Sequence, residues 1–281
     1  MIFLKINGSS LRVLYLYKRG ELLMNQRKPL KELNLLDKFL FDEAMDDPEN
    51  VKTMLDIILS QNTNLKHPPQ TEKEQRTSTD NRQIRLDVYA IDEDDVIYEV
   101  EAQKENTHNL PKRSRLYQGI IDSKLLPPGV VDFNLLNEVL IVLIMPFDLF
   151  GYGLYRYTFQ MKCEEVPELK LDDGATRIFL NTRGKHPELV STELIELLKY
   201  MERSTDEVSR ECKSKRIQEM HKRVCRIKAS EKTEVKYMQS WTVRRLMLPF
   251  LNTVAAMYDF SRMFVYICLH NRFVEMPLLN T

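Results

Sequence analysis

The chain has 281 residues, 43% of them hydrophobic and 29% charged, enough for one ordinary domain with extensions or for two small domains around a real core. Its 41 Lys and Arg exactly offset 41 Asp and Glu, which argues against strong non-specific affinity for nucleic acid and leaves room only for a local basic face. Cys163, Cys212, Cys225 and Cys268 form no CxxC pair, and the histidines complete no zinc pattern around them, so the thiols read as structural or incidental in a reducing cytosol.

In chain order, residues 1–23 are apolar but lack the charged, apolar and cleavage regions of a signal peptide. Leu33 to Ser60 has helical character and is punctuated at Asp46-Asp47-Pro48, where the proline suits the first turn of a new helix. Residues 62–81 are polar, with Pro68 and Pro69, and predict a loop or irregular link. Gln83 to Ile91 and Val96 to Gln103 alternate in character around the acidic cluster Asp92-Glu93-Asp94-Asp95, the pattern of a β-hairpin. Leu110 to Leu125 predicts a helix with Arg113, Tyr117 and Ile121 along one side.

Asn137 to Pro146 is a continuous apolar run, suited to a strand buried on both faces and far too short to span a bilayer. Leu154 to Met161 and Thr176 to Leu180 predict further strands, and Pro187 to Met201 an amphipathic helix. From Glu202 to Lys236 both charge signs are interspersed, which fits a solvated helical face better than a DNA-contact surface. The apolar stretch from Leu246 to Leu269 carries Asp259 and Arg262, costly in lipid, so no membrane span is expected. The sum is an α/β layout with a mixed sheet flanked by helices.

The hairpin holds the residues that could do chemistry. Strand side chains alternate faces, so Asp87 shares a face with Tyr89 and Ile91, and Glu99, Glu101 and Gln103 share one on the next strand. A three-residue loop at Glu93–Asp95 would set Asp87 opposite Glu101; a two-residue loop would shift the register and spoil the pairing, and sequence alone does not choose between them. Two facing carboxylates can grip one hard cation such as Mg²⁺, which can activate water and polarise a phosphodiester. The Gln103 amide could orient that water or a phosphate oxygen. The plain alternative is that a polar hairpin face is simply wet, with Glu99 a solvated neighbour. Lys112, Arg113 and Arg115 follow closely and could meet phosphate oxygens, or could be ordinary surface charge.

These residues, in this order and spacing, resemble a known family. The matching pieces run from Asp37-Lys38-Phe39-Leu40-Phe41 and Asp47-Pro48-Glu49 through Arg85-Leu86-Asp87-Val88 and Tyr98-Glu99-Val100-Glu101-Ala102-Gln103. Leu110-Pro111-Lys112-Arg113-Ser114-Arg115, Tyr117-Gln118, Phe147-Asp148, Asp173-Gly174 and Val235-Lys236-Tyr237-Met238 continue the set. From Met24 to about Trp241 the chain resembles the Rpn family of recombination-promoting nucleases, also described as PD-(D/E)XK nuclease family transposases. The resemblance implies a restriction-endonuclease-like αβββαβ core with a C-terminal helical extension. It implies a site in which Asp87, Glu101 and Gln103 are catalytic and Asp87 and Glu101 hold the metal. It adds Asp37 as a further ligand by position, with Asp42 and Glu43 close by.

The implied activity is a divalent-cation-dependent DNA endonuclease that promotes recombination. The cofactor would be Mg²⁺ or another divalent cation, with no organic cofactor, and DNA would be seated by Lys112, Arg113, Arg115 and Tyr117. A cytoplasmic protein is expected, and a homodimer where two strands are cut. The alternative is a catalytically inactive DNA-binding or interaction protein on the same fold. The expected organisation is an extension over 1–23, a nuclease-like domain over 24–200, a charged helical region over 201–241 and an atypical apolar tail over 242–281. Lys18-Arg19-Gly20-Glu21 could be encoded by a purine-rich ribosome-binding sequence, which would make Met24 the start.

Overall fold

The computed structural model describes residues 27–75 and 84–243; the expectations for the first 23 residues and for most of the apolar tail lie outside them. The chain divides into a unit spanning 28–237 and a second formed by 1–27 with 238–281. The 28–237 unit contains the sheet and the candidate site.

Two helices open it, α1 (Lys38–Met45) and α2 (Pro48–Leu59). The break between them falls where the sequence places it. The Asp47 carboxylate accepts from Glu49 N at 3.0 Å, and Pro48 occupies the first turn, where its missing N–H costs nothing. Three strands follow: β1 (Gln70–Gln75), β2 (Ile84–Ile91) and β3 (Ile97–Ala102). β1 corrects the expected loop over 62–81. Its sequence QTEKEQ has no apolar alternation to betray it, because it is an edge strand that pairs antiparallel with β2 alone, and a hydrophilic edge discourages further pairing. Lys73 Nζ lies 3.4 Å from the Tyr89 ring centroid, a cation–π contact that helps hold it there.

The hairpin between β2 and β3 takes the three-residue loop. Asp92 N donates to Val96 O at 3.1 Å, and Asp95 adopts a left-handed φ of 62°, as expected of a type I turn closed by a left-handed residue. Asp92 organises the turn. Its Oδ1 accepts from Asp94 N (3.0 Å) and Val96 N (2.9 Å), and its Oδ2 from the buried Tyr98 hydroxyl (2.6 Å). Asp92→Ala should therefore cost about 2–3 kcal/mol in urea unfolding, since it strands a buried hydroxyl and two turn amides. A loss below about 0.5 kcal/mol would show that the turn holds without it.

Beyond the hairpin come α3 (Leu110–Asp122), β4 (Val139–Met145), β5 (Arg156–Phe159) and β6 (Ala175–Asn181). The six strands form one mixed sheet in the order β1-β2-β3-β4-β6-β5, with β3, β4 and β6 parallel to one another and the remaining pairs antiparallel. β4, VLIVLIM, sits inside the parallel part and is covered on both faces, which explains its unbroken apolar run. One core packs Leu40, Phe41, Met54 and Ile58 of the first two helices against Val88, Val100, Val142 and Leu180. The other packs Leu110, Tyr117 and Ile121 of α3 against Tyr89, Ile97, Ile141 and Leu143. The order of elements is the αβββαβ series, with both sheet faces covered.

Four helices follow among the described residues: α4 (Thr192–Glu202), α5 (Asp206–Glu211), α6 (Lys215–Lys228) and α7 (Glu231–Thr242). The single helix expected over Pro187–Met201 is split by a 3-10 turn at Pro187–Leu189. α4 begins only after Ser191, whose hydroxyl accepts from Leu194 N at 3.2 Å. The charged stretch is helical as expected but not merely a solvated face. Ile217, Met220 and Val224 are buried in the first core, and the surrounding charges mask this narrow apolar stripe from a composition-based reading.

Candidate active site

The hairpin register pairs Tyr89 with Glu99 and Val88 with Val100, so the next step along the same register sets Asp87 across from Glu101. Both carboxylates are buried, at 4% and 8% exposure, and Glu99 is fully buried at 0%. Sheet alternation explains why Glu99 and Glu101 point to one side of β3 while Val100 and Ala102 enter the first core.

Two cations attend this acidic group. Lys38, at the start of α1, forms an ion pair with Asp87 and a second one with Asp42, one turn further along its own helix, at 3.2 Å. From α3, Arg113 Nη2 donates to Glu101 Oε1 at 2.6 Å and to Gln103 Oε1 at 2.6 Å. Gln103 follows β3, where its N–H donates to Ile144 O at 2.9 Å and its side-chain amide to Glu105 O. The Tyr117 ring centroid lies 5.8 Å from Arg113 Cζ.

The cluster leaves polar atoms unmet. Asp42 and Asp87 pair with Lys38, and Glu101 pairs with Arg113. Both Glu99 oxygens, Glu101 Oε2 and Arg113 Nε are buried without a hydrogen-bond partner among the described residues. Burial and the neighbouring Glu101 and Asp87 charges hold the Glu99 carboxyl well above the ordinary carboxylate range. Burial also pushes Glu101 up; Arg113 opposes, Asp87 adds to the rise, and the outcome is about 7. Burial pulls the Lys38 ammonium down, but Asp87 and Asp42 outweigh it and the net shift is upward. Tyr117 is pushed up by burial and by Glu101. Buried carboxylate oxygens without partners in a low-dielectric setting are costly unless they are protonated or met by a cation.

The structure brings Asp87, Glu101 and Gln103 to one end of the hairpin, with Arg113 and Tyr117 facing them one turn apart on α3. Lys112 and Arg115 lie on the exposed side of that helix. Asp37 stands apart. It is engaged by Lys28 (3.2 Å), Lys104 (2.5 Å) and the Asn34 amide (2.9 Å); burial would raise its carboxyl, but these donors bring it below its ordinary value. Glu43 pairs with Lys236. The α1 carboxylate that shares a partner with Asp87 is Asp42.

Sequence reasoning missed Lys38 and the burial of Glu99, and named Asp42 only as a neighbour of Asp37. The Lys38–Asp42 spacing was visible as a helical i,i+4 pair, but nothing in it pointed to a strand 49 residues away. Arg113→Met removes a charge-assisted bond that is partly exposed, and should cost about 2 kcal/mol by denaturant titration. It should also raise the Glu101 carboxyl further, visible as an upward shift in the carboxyl titration followed by NMR. An unchanged titration would separate Arg113 from Glu101.

An αβββαβ core with an acidic cluster at its central hairpin is the restriction-endonuclease-like α/β fold. A model of the family described as PD-(D/E)XK nuclease family transposase matches residues 38–245, and the chain belongs to that family. No curated protein and no solved structure matches the chain. The fold and family define a nuclease-like protein.

Proposed function

We propose that the chain is a divalent-metal-dependent DNA endonuclease that promotes recombination, acting from Asp87, Glu101 and Gln103 in the cytoplasm. The observation that carries this reading is the buried carboxylate group at the hairpin, where both Glu99 oxygens and Glu101 Oε2 have no hydrogen-bond partner among the described residues. That donor set, all oxygen and negatively charged, suits Mg²⁺ or a similar hard cation. When bound, the cation would supply Lewis-acid polarisation of the phosphate and acidify an attacking water.

The protein's own groups would do the rest. Asp87 and Glu101 hold the cation, and Lys38 must give up its contact with Asp87 to allow this. Arg113 fixes the Gln103 carboxamide and brings to this position the positive charge that glutamine lacks. With its oxygen on Arg113 and one amide hydrogen on Glu105 O, the remaining N–H is set to orient water or a phosphate oxygen. Lys112 and Arg115, exposed on α3, would seat the DNA backbone, while Arg113 and Tyr117 work from inside the site. Cleavage of both strands would take a homodimer.

A second reading, an inactive DNA-binding or interaction protein on this fold, is favoured by one feature: Lys38 and Arg113 already occupy Asp87 and Glu101. Incubating the purified chain with supercoiled plasmid, in Mg²⁺ or in EDTA, separates the two. Metal-dependent nicking supports the nuclease, whereas DNA binding without nicking supports the inactive module.

A further inference from the structure

We propose that Asp206, His221 and Cys225 form a second metal site, a zinc-binding clamp that ties α5 to α6 away from the acidic hairpin. His221 and Cys225 lie one turn apart on α6, so both project from the same face. Asp206 comes from the first turn of α5. Asp206 Oδ1 is 2.7 Å from His221 Nε2, and Cys225 Sγ is 3.4 Å from that nitrogen and 3.9 Å from that oxygen. All three donors lie within 4.8 Å of one another.

The distances fit zinc. Bond lengths of about 2.0 Å to nitrogen and oxygen and about 2.3 Å to sulfur put donors roughly 3.3–3.6 Å apart around a tetrahedron. The sulfur–nitrogen edge already has this length. The nitrogen–oxygen edge must open by about 0.6 Å to reach it, and the Asp206 side chain, 74% exposed, is free to move. A mixed imidazole, thiolate and carboxylate set favours zinc over the hard cations suited to the hairpin. Three protein donors with an exposed aspartate leave a fourth position for water.

Two details distinguish this cluster from its plainer readings. A nucleophilic Cys–His–Asp relay uses both ring nitrogens, one for the thiol and one for the carboxylate. Here Nε2 faces the aspartate at 2.7 Å and is also the nitrogen nearer the sulfur, at 3.4 Å against 3.9 Å for Nδ1, so the three donors converge on a point rather than form a chain. A simple His–Asp ion pair would not need the thiol. The other ring nitrogen, Nδ1, is engaged at 3.0 Å by the hydroxyl of fully buried Tyr200, whose ring stands perpendicular to the imidazole. Such an outer partner fixes the orientation of a metal-ligating imidazole. The sequence hid the site because His221-x₃-Cys225 matches no common finger spacing and the third donor lies in another helix.

The test uses the full chain carrying Asp87→Ala, which disables the hairpin as a competing site. After chelation and addition of Zn²⁺, metal retained through gel filtration is counted by mass spectrometry, and affinity is measured against a chromophoric chelator. One zinc per chain is expected, with a sulfur-to-metal charge-transfer band when Co²⁺ is substituted. Cys225→Ser should remove the band and weaken zinc binding at least about 10-fold, and Tyr200→Phe should weaken it about 10–100-fold through loss of the outer partner. Asp206→Asn, at an exposed position, provides the same reading if Cys225→Ser fails to fold. Failure to retain zinc, or equal retention by Cys225→Ser and Asp206→Asn, overturns the proposal. Plasmid nicking plays no part in this readout, so its outcome is independent of the nuclease reading.

Discussion

Asp87→Ala should reduce Mg²⁺-dependent nicking of supercoiled plasmid by about 10²–10⁴-fold, because the cation's transition-state stabilisation is several kcal/mol and each 1.36 kcal/mol is tenfold in rate. Asp87 is the strand β2 half of the facing pair, and Glu101→Gln should produce a loss of similar size from the other strand. Combining the two should add little, since a cation lost once cannot be lost again. Structural damage has its own signature. Removing Asp87 leaves Lys38 paired with Asp42, so the variant is compared at equal folded fraction by circular dichroism, and Asp87→Asn serves as the isosteric control. Nicking by Asp87→Ala at the wild-type rate would remove Asp87 from the site. Nicking that survives EDTA in the wild type would remove the metal.

Much of this geometry was legible in the chain. Alternation placed β2 and β3, and three residues between Asp92 and Val96 was one of two loop lengths left open, the one that makes Asp87 and Glu101 partners. The structure selects it through the left-handed Asp95 and the Asp92 bonds, a preference written in turn chemistry rather than in hydrophobic pattern. β4 was legible because burial on both faces leaves an apolar run. β1 was not, since an edge strand made of QTEKEQ carries no apolar signal. At the site, residues close in sequence could be related by strand period, which is why Glu101, Gln103 and Asp87 emerged together. Lys38 and Asp42 could not, because their relation to Asp87 is set by how α1 packs on the sheet, a tertiary fact with no local period. Asp37 was chosen by position along that helix; one turn of helix separates a residue engaged by Lys28 and Lys104 from one that shares Lys38 with Asp87.

The buried carboxylates also set how stability depends on pH. Glu101 has an ordinary value near 4.5, raised in the folded chain to about 7, chiefly by burial. Between these values the folded chain binds a proton that the unfolded chain has lost, so stability falls as pH rises. The contribution is fully present below about 4.5 and is lost as pH rises through about 7. A shift of this size corresponds to on the order of 3 kcal/mol, or a fall in melting temperature of about 6–12 °C for a unit of this length. Glu99, held well above its ordinary range by burial and by Glu101, adds a loss of the same sign. In EDTA the melting temperature should therefore drop between pH 5 and pH 8, and Glu101→Gln, which cannot titrate yet still offers Arg113 an acceptor, should flatten most of that drop. Mg²⁺ should restore stability mainly at the upper end, where its binding no longer competes with a proton. A flat profile in EDTA, or the same slope in Glu101→Gln, would mean that the hairpin carboxylates do not store this charge. If the slope is present and Mg²⁺ reverses it, the pH-dependent loss of stability and the affinity for a cation have the same source: the buried carboxylates of Glu99 and Glu101, whose oxygens lack hydrogen-bond partners among the described residues.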